Sequence, residues 1–391
     1  MIRRLATHRL RELARRFPIA CVLGARQVGK TTLARQTFPS ATYFDLERPA
    51  DLGRLQIDPE LAIERSTPPV ILDEAQAWPP IFPIVRSMVD RAPHLRGRFV
   101  VVGSAQPILV RGVSESLAGR VGFVELDPLC AVETARGAPR ASVDQLWLAG
   151  GYPGGLRARG ANARRDWMEG YTRTFIERDL AALGLDLSGA RMRRLWGMLA
   201  HLHGGLFNAS ELGASLGTSY HTVQRYLDVL EQSFLVRRLL PYHANVGKRL
   251  TRAPRVYVRD SGVLHHFLGI TSSAQLDVAP RRGASWEGFV IEQIIRRERL
   301  ANPDSQFWFW RTAAGAEVDL LVDRAGQILP IEIKLARQIG REDLRGLQGC
   351  MSDLRLPRGI VLAEVNAAFE ATAGIEVRPT RAVVSSSRWS L

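Results

Sequence analysis

The sequence predicts an α/β protein built in consecutive parts: a parallel sheet with a helical lid, a winged helix-turn-helix, and a second α/β domain. Three observations predict this order. A glycine-rich turn joins an apolar strand to a helix near position 24, two helical segments flank a Gly-Thr-Ser turn near position 217, and alternating strands follow position 305. The expected boundaries are 1–150 for the first domain, 151–205 for the lid, 206–268 for the winged helix and 283–378 for the last domain.

Composition favours a globular protein with a polyanionic partner. The chain has 391 residues, 46% of them hydrophobic and 24% charged, which suits two or three folded domains. The formal net charge of +14 favours nucleic acid as the partner. We expect DNA and leave RNA open. The alternative is an arginine bias spread evenly over the surface.

The cysteines and the N-terminal segment favour the cytoplasm. Cys21, Cys130 and Cys350 are far apart and odd in number, so neither a disulfide framework nor a metal cluster is predicted. Residues 1–17 mix leucines with arginines as an amphipathic helix does, and no segment has the apolar length of a membrane span. We therefore expect a cytoplasmic protein without a membrane partner.

The stretch GARQVGKT, residues 24–31, fits the phosphate-binding P-loop pattern without a mismatch. It follows the apolar run PIACVL and precedes TTLARQTF, so a strand leads into the loop and a helix leaves it. Backbone N–H groups of the loop and of the helix start surround phosphates. Lys30 is one of three lysines among 53 basic residues, and its compact charge suits the β- and γ-phosphates better than the planar fork of arginine. The residues predicted to bind ATP are Gly24, Ala25, Arg26, Gln27, Val28, Gly29, Lys30, Thr31 and Thr32, with the Thr31 hydroxyl on Mg²⁺.

Two further strands are predicted to end near this loop. The segment VILDE, residues 70–74, is an apolar strand that ends in acids, and the carboxyl ends of parallel strands form the ligand-binding edge of an α/β sheet. Asp73 is expected to hold Mg²⁺ through water, and Glu74 to orient or deprotonate the attacking water. The strand RFVVVGSAQ ends in Ser104, which we expect to touch the γ-phosphate or that water.

Six stretches occur in the order found in one known family: GARQVGKTTL, ILDEAQ, GSAQ, SESLAGRV, LDPL and GGYPGG. On these motifs, nearly the whole chain resembles bacterial AAA-type ATPases that carry a C-terminal domain of unknown function. The resemblance implies an AAA-type P-loop sheet and ATP hydrolysis with Mg²⁺. It also suggests Arg120, in SLAGR, as a catalytic arginine that completes the site of a neighbouring subunit. A homo-oligomer is thus one possibility, and the resemblance leaves open whether the chain forms rings. The alternative for Arg120 is a surface or fold-stabilising role.

The segment that follows GGYPGG is helical and rich in arginine. Trp167, Tyr171, Phe175 and Leu180 recur at steps of four or five residues, as on one side of a helix. This suits the helical lid that folds over the nucleotide in AAA-type proteins.

A helix-turn-helix is predicted after the lid. Asn208 and Glu211 form a helix-start signal, and SYHTVQRYLDVLEQ begins a second helix after a short turn. The segments FLVRRLLPY and PRVYVRD are predicted strands on either side of a wing. The alternative is a packing module without DNA contact. The candidate DNA contacts are Ser219, His221, Thr222, Gln224 and Arg225 on the second helix and Lys248, Arg249 and Arg252 in the wing.

The stretch QILPIEIKLARQ places Glu332 and Lys334 two apart on a predicted strand, so both side chains point to one face. With Asp319 on the preceding strand, this arrangement resembles the PD-(D/E)xK nuclease core. Glu287 on the preceding helix, or alternatively Glu292, would complete it. The alternative is a β-hairpin whose charges face solvent.

Metal-dependent cleavage explains these residue types. Phosphodiester hydrolysis uses Mg²⁺ clamped by carboxylates, and Glu287, Asp319 and Glu332 are the predicted ligands. Lys334 would position the water or neutralise the phosphorane, since a lysine pKa is adjustable. Some branches of this fold have lost activity, so cleavage stays open.

Two functional hypotheses follow. The first is a DNA-directed AAA-type ATPase with a metal-dependent, nuclease-like C-terminal domain. The second is a nucleotide-dependent switch that binds a protein or DNA partner while its C-terminal domain is catalytically idle. ATP and Mg²⁺ are the expected cofactors.

Overall fold

A computed structural model of the chain describes residues 2–104, 117–137, 140–180, 188–242, 253–389 and 391. The first part is built on five strands: β1 (Ile19–Gly24), β2 (Thr42–Asp45), β3 (Val70–Asp73), β4 (Phe99–Ser104) and β5 (Val121–Glu125). They form one parallel sheet in the order β2-β3-β4-β1-β5. Because all strands run the same way, their carboxyl ends meet at one edge, where the predicted ATP-binding residues lie.

Helices cover both faces of this sheet. On one face, α1 (Ala6–Arg16) and α2 (Lys30–Thr37) pack against Ala20 and Val22 of β1. The other face, with Ile19 and Cys21, is covered by three helices: α3 (Pro49–Ile57), α4 (Pro59–Glu64) and α5 (Ile81–Arg91). Burial on both faces explains why the strands are continuous apolar runs in the sequence.

The middle of the chain is helical. Its helices are α6 (Ala131–Ala135), α7 (Val143–Ala149), α8 (Pro153–Arg157), α9 (Ala161–Thr174), α10 (Gly189–Leu202), α11 (Ala209–Leu216), α12 (Tyr220–Gln232), α13 (Ser261–Phe267) and α14 (Ser273–Asp277), with a π-helical turn at Phe175–Asp179 after α9. The side chain of Asn208 caps α11, as its sequence signal predicts. The helix α11 ends at Gly217 with a φ of 63°, and the Ser219 side chain caps α12, so a tight turn joins the two helices.

A second sheet has eight strands. They are β6 (Val236–Pro241), β7 (Arg255–Val258), β8 (Gln306–Arg311), β9 (Glu317–Arg324), β10 (Gln327–Ile333), β11 (Gly359–Ala363), β12 (Phe369–Thr372) and β13 (Ile375–Pro379), in the order β12-β13-β11-β10-β9-β8-β6-β7. The hairpin β6–β7 joins the sheet because β6 pairs in parallel with β8, Leu240 opposite Trp308. One sheet therefore crosses the boundary expected between the winged helix and the last domain.

Two long helices sandwich this sheet. The helix α15 (Arg282–Ala301) packs against the face that carries Ile331 and Ile333, and α16 (Arg341–Leu354) packs against the face with Val361. The short α17 (Thr380–Ser385) follows β13. Across the described parts of the chain, no helix combines the length and apolar character needed to cross a bilayer.

Candidate nucleotide site and a buried carboxylate cluster

The loop between β1 and α2 has the backbone of a phosphate cradle. Gln27 has a φ of 60° and Gly29 a φ of 97°, so two positions of the loop adopt the left-handed region and the chain turns tightly. A Cβ atom on Gly24 would collide with the carbonyl oxygen of Leu126. The two glycines of the pattern are thus required for the turn and for the close approach of the chain after β5.

Lys30 is buried within this loop. Its ammonium donates hydrogen bonds to the carbonyl oxygens of Gly24 at 3.1 Å and Ala25 at 2.9 Å. Burial lowers the pKa of Lys30 to about 8, although the charges of Glu74 and Asp73 oppose this shift. The structure therefore places the ammonium inside the loop, beside two acids.

A hydrogen bond joins the P-loop helix to the acidic strand. The Thr31 hydroxyl donates to Asp73 Oδ2 at 2.6 Å, and the Tyr43 hydroxyl donates to the same oxygen at 2.8 Å. Burial raises the pKa of Asp73, although both hydrogen bonds lower it. Since β4 lies between β1 and β3, Asp73 reaches Thr31 across an intervening strand. The hydroxyl and carboxylate oxygens are hard ligands, so this pair fits Mg²⁺.

Glu74 follows the strand in a left-handed conformation, with a φ of 49°. The Gln76 side-chain amide donates to Glu74 Oε2. Glu74 lines the same cavity as Lys30 and Thr31, so the structure brings together the residues predicted to bind phosphate and to activate water.

This cavity has a volume of about 450 Å³ and lies between the P-loop and the helices predicted to form the lid. Tyr171 and Thr174 of α9, Phe175 of the π-helical turn and Arg157 of α8 line its far side. The helices that follow GGYPGG thus face the P-loop across this cavity, and their role as a lid stays a prediction.

The lid also contributes an acid that the sequence analysis missed. Asp179 lines the cavity and forms an ion pair with Arg26 of the P-loop, with 3.0 Å between Arg26 Nε and Asp179 Oδ1. Burial raises the pKa of Asp179 to about 6, although Arg26 opposes the shift. Glu47 Oε1 lies 3.7 Å from Arg26 Nη2 and 2.8 Å from Arg178 Nη2. Ion pairs therefore connect the P-loop to the π-helical turn through Glu47.

Arg4, also missed, supports the loop from behind. Its guanidinium donates to the carbonyl oxygens of Val28 at 2.7 Å and Asp127 at 2.5 Å, and to Glu133 Oε1 at 3.1 Å. Arg4 is buried. The segment before α1 therefore ties the P-loop to the chain that follows β5.

Ser104 and Arg120 have different places in the sheet. Ser104 ends β4 and pairs in register with Gly24, but its side chain lies outside the described part of the chain. Arg120 precedes β5 at the amino edge of the sheet, where its carbonyl accepts from Ile19, and its guanidinium donates to Asp90 at 2.5 and 3.0 Å. The length of β1, about 16 Å, separates Arg120 from the P-loop of its own chain.

The predicted nuclease-like residues come together in the second sheet, around a residue from the middle of the chain. Arg255, the first residue of β7, places Nη1 3.3 Å from Asp319 Oδ1 and 3.5 Å from Glu287 Oε1. Its Nη2 lies 2.5 Å from Glu317 Oε2. Lys334 pairs with Glu332 Oε1 at 2.7 Å. We call Glu287, Glu317, Asp319 and Glu332 the carboxylate cluster.

The pKa values of this cluster follow from burial and crowding. Burial, followed by the charge of Asp319, raises the pKa of both Glu287 and Glu332. Burial also raises the pKa of Asp319, opposed by Arg255. The charge of Glu332 raises the pKa of Lys334, although burial opposes it. The carboxylate cluster thus contains more acidic side chains than basic partners.

The prediction that Glu287, Asp319 and Glu332 bind Mg²⁺ does not fit this conformation. Within the described residues, no group of three or more His, Cys, Asp or Glu side chains is arranged to hold a metal ion. The physical reason is Arg255, whose guanidinium engages the oxygens that a metal would need. The alternative acid, Glu292, lies elsewhere, in ion pairs with Arg237 and Arg259.

Comparisons with known proteins agree with the nucleotide site. A family model described as an AAA domain matches residues 16–135, and two described as domains of unknown function, DUF8612 and DUF4143, match residues 140–274 and 282–383. Uncharacterized proteins of Mycobacterium tuberculosis and Mycobacterium bovis are each 45% identical over 359 residues, which covers 91% of this chain and 78% of each relative. The chain belongs to the family of these two proteins, and its residues 16–135 match an AAA domain. The resemblance inferred from the motifs is confirmed to that extent, and the nuclease-like fold stays a prediction.

Solved structures with similar chain paths are more distant. The Walker-type ATPase of Pyrococcus abyssi is 16% identical, with 67% of this chain and 94% of that chain covered and a TM-score of 0.42. The RuvB Holliday junction branch migration motor of Thermotoga maritima is 18% identical, with 61% and 90% covered and a TM-score of 0.32.

The candidate DNA contacts that the structure describes lie at the start of the helix α12. Ser219, His221 and Arg225 are exposed, whereas Thr222 and Gln224 are half-buried. Tyr220, 49% exposed, lies against His221 with 3.9 Å between the ring centroids and the ring planes tilted by 35°. The wing candidates Lys248, Arg249 and Arg252 lie outside the described residues.

Proposed function

We propose that the protein hydrolyses ATP with Mg²⁺ and uses this cycle to position contacts with DNA. One observation carries the proposal: Lys30, Thr31 and Glu74 line a single cavity, and Thr31 is hydrogen-bonded to Asp73. The AAA-domain match over residues 16–135 supports the same assignment.

Each of these side chains has a separate role. The Lys30 ammonium exchanges the carbonyl oxygens of its own loop for phosphate oxygens. The Thr31 hydroxyl and the Asp73 carboxylate would hold the cation. Glu74 orients the attacking water and accepts its proton. Bound ATP with Mg²⁺ would supply the γ-phosphoryl group and neutralise the charge that develops on it.

Steady-state ATPase assays test these roles. Lys30→Ala removes the phosphate counter-charge and should abolish both binding and turnover. Glu74→Gln should keep binding and lower turnover by about 100-fold or more, because the general base is lost. Glu342→Gln, an exposed acid on α16, is the matched control and should leave turnover unchanged. Turnover that survives both Lys30→Ala and Glu74→Gln would reject the assignment.

For DNA, α11, α12 and the hairpin β6–β7 would act as a winged helix. The exposed start of α12, with the adjoining rings of Tyr220 and His221 and with Arg225 one turn further, supports this role. The net charge of +14 supports a polyanionic partner.

Salt-dependent DNA binding tests the winged helix. Arg225→Ala should weaken binding across DNA sequences and lower the slope of log affinity against log salt by about 1, as expected for one lost phosphate contact. Arg345→Ala removes an equally exposed arginine from α16 and should change neither quantity. Equal effects of both variants would indicate diffuse surface charge.

A second function is favoured by the position of Arg255. With Arg255 among the carboxylates, a PD-(D/E)xK-like domain formed by Asp319, Glu332 and Lys334 would be idle, and the protein would act as a nucleotide-dependent switch. Plasmid and branched DNA incubated with Mg²⁺ or Mn²⁺, with and without ATP, should then stay intact. Cleavage that Asp319→Ala and Lys334→Ala abolish would contradict the idle state and favour a nuclease.

A further inference from the structure

We propose that Arg255 is a built-in cation that closes the carboxylate cluster, and that its withdrawal opens a site for one divalent metal ion. The proposal concerns the second sheet and does not depend on the ATPase assignment. It starts from the disagreement between the predicted metal ligands and the contacts of Arg255.

Acidic side chains surround the guanidinium of Arg255. The residue is 4% exposed, and its guanidinium bridges Asp319, Glu287 and Glu317 at 3.3, 3.5 and 2.5 Å. It also lies over the ring of Phe309 at 5.1 Å. Because Arg255 is buried away from water, these carboxylates are what stabilise its charge.

The neighbouring residue on the same face of β7 supports the closure. Tyr257, two positions after Arg255, donates its hydroxyl to Glu287 Oε1 at 2.7 Å. The hairpin from the middle of the chain thus supplies two groups to a cluster whose acids all come from α15, β9 and β10.

The cluster still has unused capacity for a cation. Glu332 Oε2 is buried, and among the described groups it has no hydrogen-bond partner, although Glu332 Oε1 pairs with Lys334. Asp319 is fixed in orientation because its Oδ2 accepts from the Ile333 backbone N–H at 2.9 Å. Four carboxylates face three cations, Arg255, Lys334 and Arg311, whose Nη1 lies 2.9 Å from Glu317 Oε2. Oxygen ligands of this kind select hard divalent ions such as Mg²⁺, Mn²⁺ or Ca²⁺.

A guanidinium and a metal ion would compete for two oxygens of the cluster. A metal held by Glu332 Oε2 together with Asp319 Oδ1 and Glu287 Oε1 would lie about 2.0–2.6 Å from each, and Arg255 already engages the last two. Arginine does not lose its proton in proteins, so it leaves only by moving. Metal binding therefore requires the start of β7 to withdraw its side chain.

Calorimetric titration of the nucleotide-free full chain with Mn²⁺ tests the proposal. The wild type should give the same Mn²⁺ stoichiometry as Asp319→Ala, because the cluster is closed. Arg255→Ala should bind one additional Mn²⁺ per chain, and Asp319→Ala in the Arg255→Ala background should remove it. The matched control is Arg238→Ala, which deletes an arginine from β6 that pairs with Asp228 at 2.8 Å and should add no Mn²⁺.

Two results would overturn the proposal. One is a wild-type Mn²⁺ site that Asp319→Ala removes while Arg255 is intact. The other is a folded Arg255→Ala protein without additional Mn²⁺. If Arg255→Ala is unstable, its thermal midpoint becomes the measurement: Mn²⁺ should raise it by several degrees and leave that of Arg238→Ala unchanged, because a ligand stabilises the state that binds it. No rise would equally contradict the built-in cation.

Discussion

The carboxylate of Asp179 lines the same cavity as the P-loop, where a triphosphate would add negative charge. We expect Asp179→Asn to bind ATP about fivefold more tightly at pH 8, because about 1 kcal/mol of repulsion is removed and Arg26 is released toward the phosphates. Fluorescence titration with a labelled nucleotide would measure this change.

The advantage of Asp179→Asn should depend on pH. Burial raises the pKa of Asp179 to about 6, so wild-type Asp179 is ionised at pH 8 and largely neutral at pH 5. The two proteins should therefore converge as the pH falls below 6. Glu177→Gln, an exposed acid in the same π-helical turn, is the matched control and should leave affinity unchanged at both pH values. Equal or weaker binding by Asp179→Asn at pH 8 would contradict the repulsion.

Residues were predictable where chemistry fixes their spacing. The sequence predicted Lys30, Thr31, Asp73 and Glu74 because each belongs to a motif of neighbouring residues. Arg4, Tyr43 and Asp179 reach the site from other elements, and a single arginine, tyrosine or aspartate carries no local signal of such a contact. Arg255 is the clearest example, because its partner Asp319 lies 64 positions later in the sequence.

At the scale of elements, the segment before α1 acts as a support for the P-loop. Arg4→Ala should lower the free energy of unfolding by about 3 kcal/mol, because it leaves buried Glu133 without its cation and frees the Val28 carbonyl. Nucleotide affinity should fall as well, since the loop loses a contact that orders it. Chemical denaturation and nucleotide titration would measure both effects.

Arg9→Ala is the control for this prediction. Arg9 lies on α1 and pairs at 2.9 Å with Glu12, and both side chains are half-buried at the protein surface. Surface pairs of this kind stabilise little, so we expect unchanged nucleotide affinity. If Arg4→Ala and Arg9→Ala behave alike, Arg4 does not support the loop.

Strands and helices were predictable because burial on one or two faces leaves a periodic pattern. The strands β1, β3 and β4 and the pair α11–α12 appear where this pattern and its caps predict them, whereas β2 and β5 were not predicted. Strand order was not predictable, because it depends on pairings between distant segments. Thus β4 lies between β1 and β3, and β6 extends the last sheet through β8. Neither pairing has a signature within its own strand.

At the scale of the molecule, one buried ionic network joins the three parts of the chain. Arg259, just after β7, donates to Glu125 at the end of β5 at 2.5 Å, to Asp127, and to Glu292 of α15 at 3.4 Å. Arg299 of α15 also donates to Glu125, at 2.7 Å. Buried ion pairs therefore connect the P-loop sheet, the hairpin and the last domain.

This network should make the molecule sensitive to acid in a specific way. Arg259 and Arg299 lower the pKa of Glu125 to about 2, and Arg237 and Arg259 lower that of Glu292, although burial opposes both shifts. Carboxylates with lowered pKa values stabilise the fold above their unfolded pKa, near 4.5, and this contribution is lost as the pH falls toward the folded value. Burial raises the pKa of Asp127, which acts in the opposite direction.

Arg259→Ala separates the network from the other acids of the protein. At pH 7 it should lower the free energy of unfolding by about 3–5 kcal/mol, because several buried carboxylates lose their counter-charge. The deficit should shrink between pH 4.5 and 3, as the carboxylates that lost Arg259 become protonated and no longer need it. Arg345→Ala, which removes an exposed arginine paired with Glu342, should change stability little at any pH. Chemical denaturation of the wild type, Arg259→Ala and Arg345→Ala between pH 7 and pH 3 would measure these free energies of unfolding. A deficit that stays constant with pH would mean that Arg259 stabilises the molecule by packing, and that charge does not join its parts.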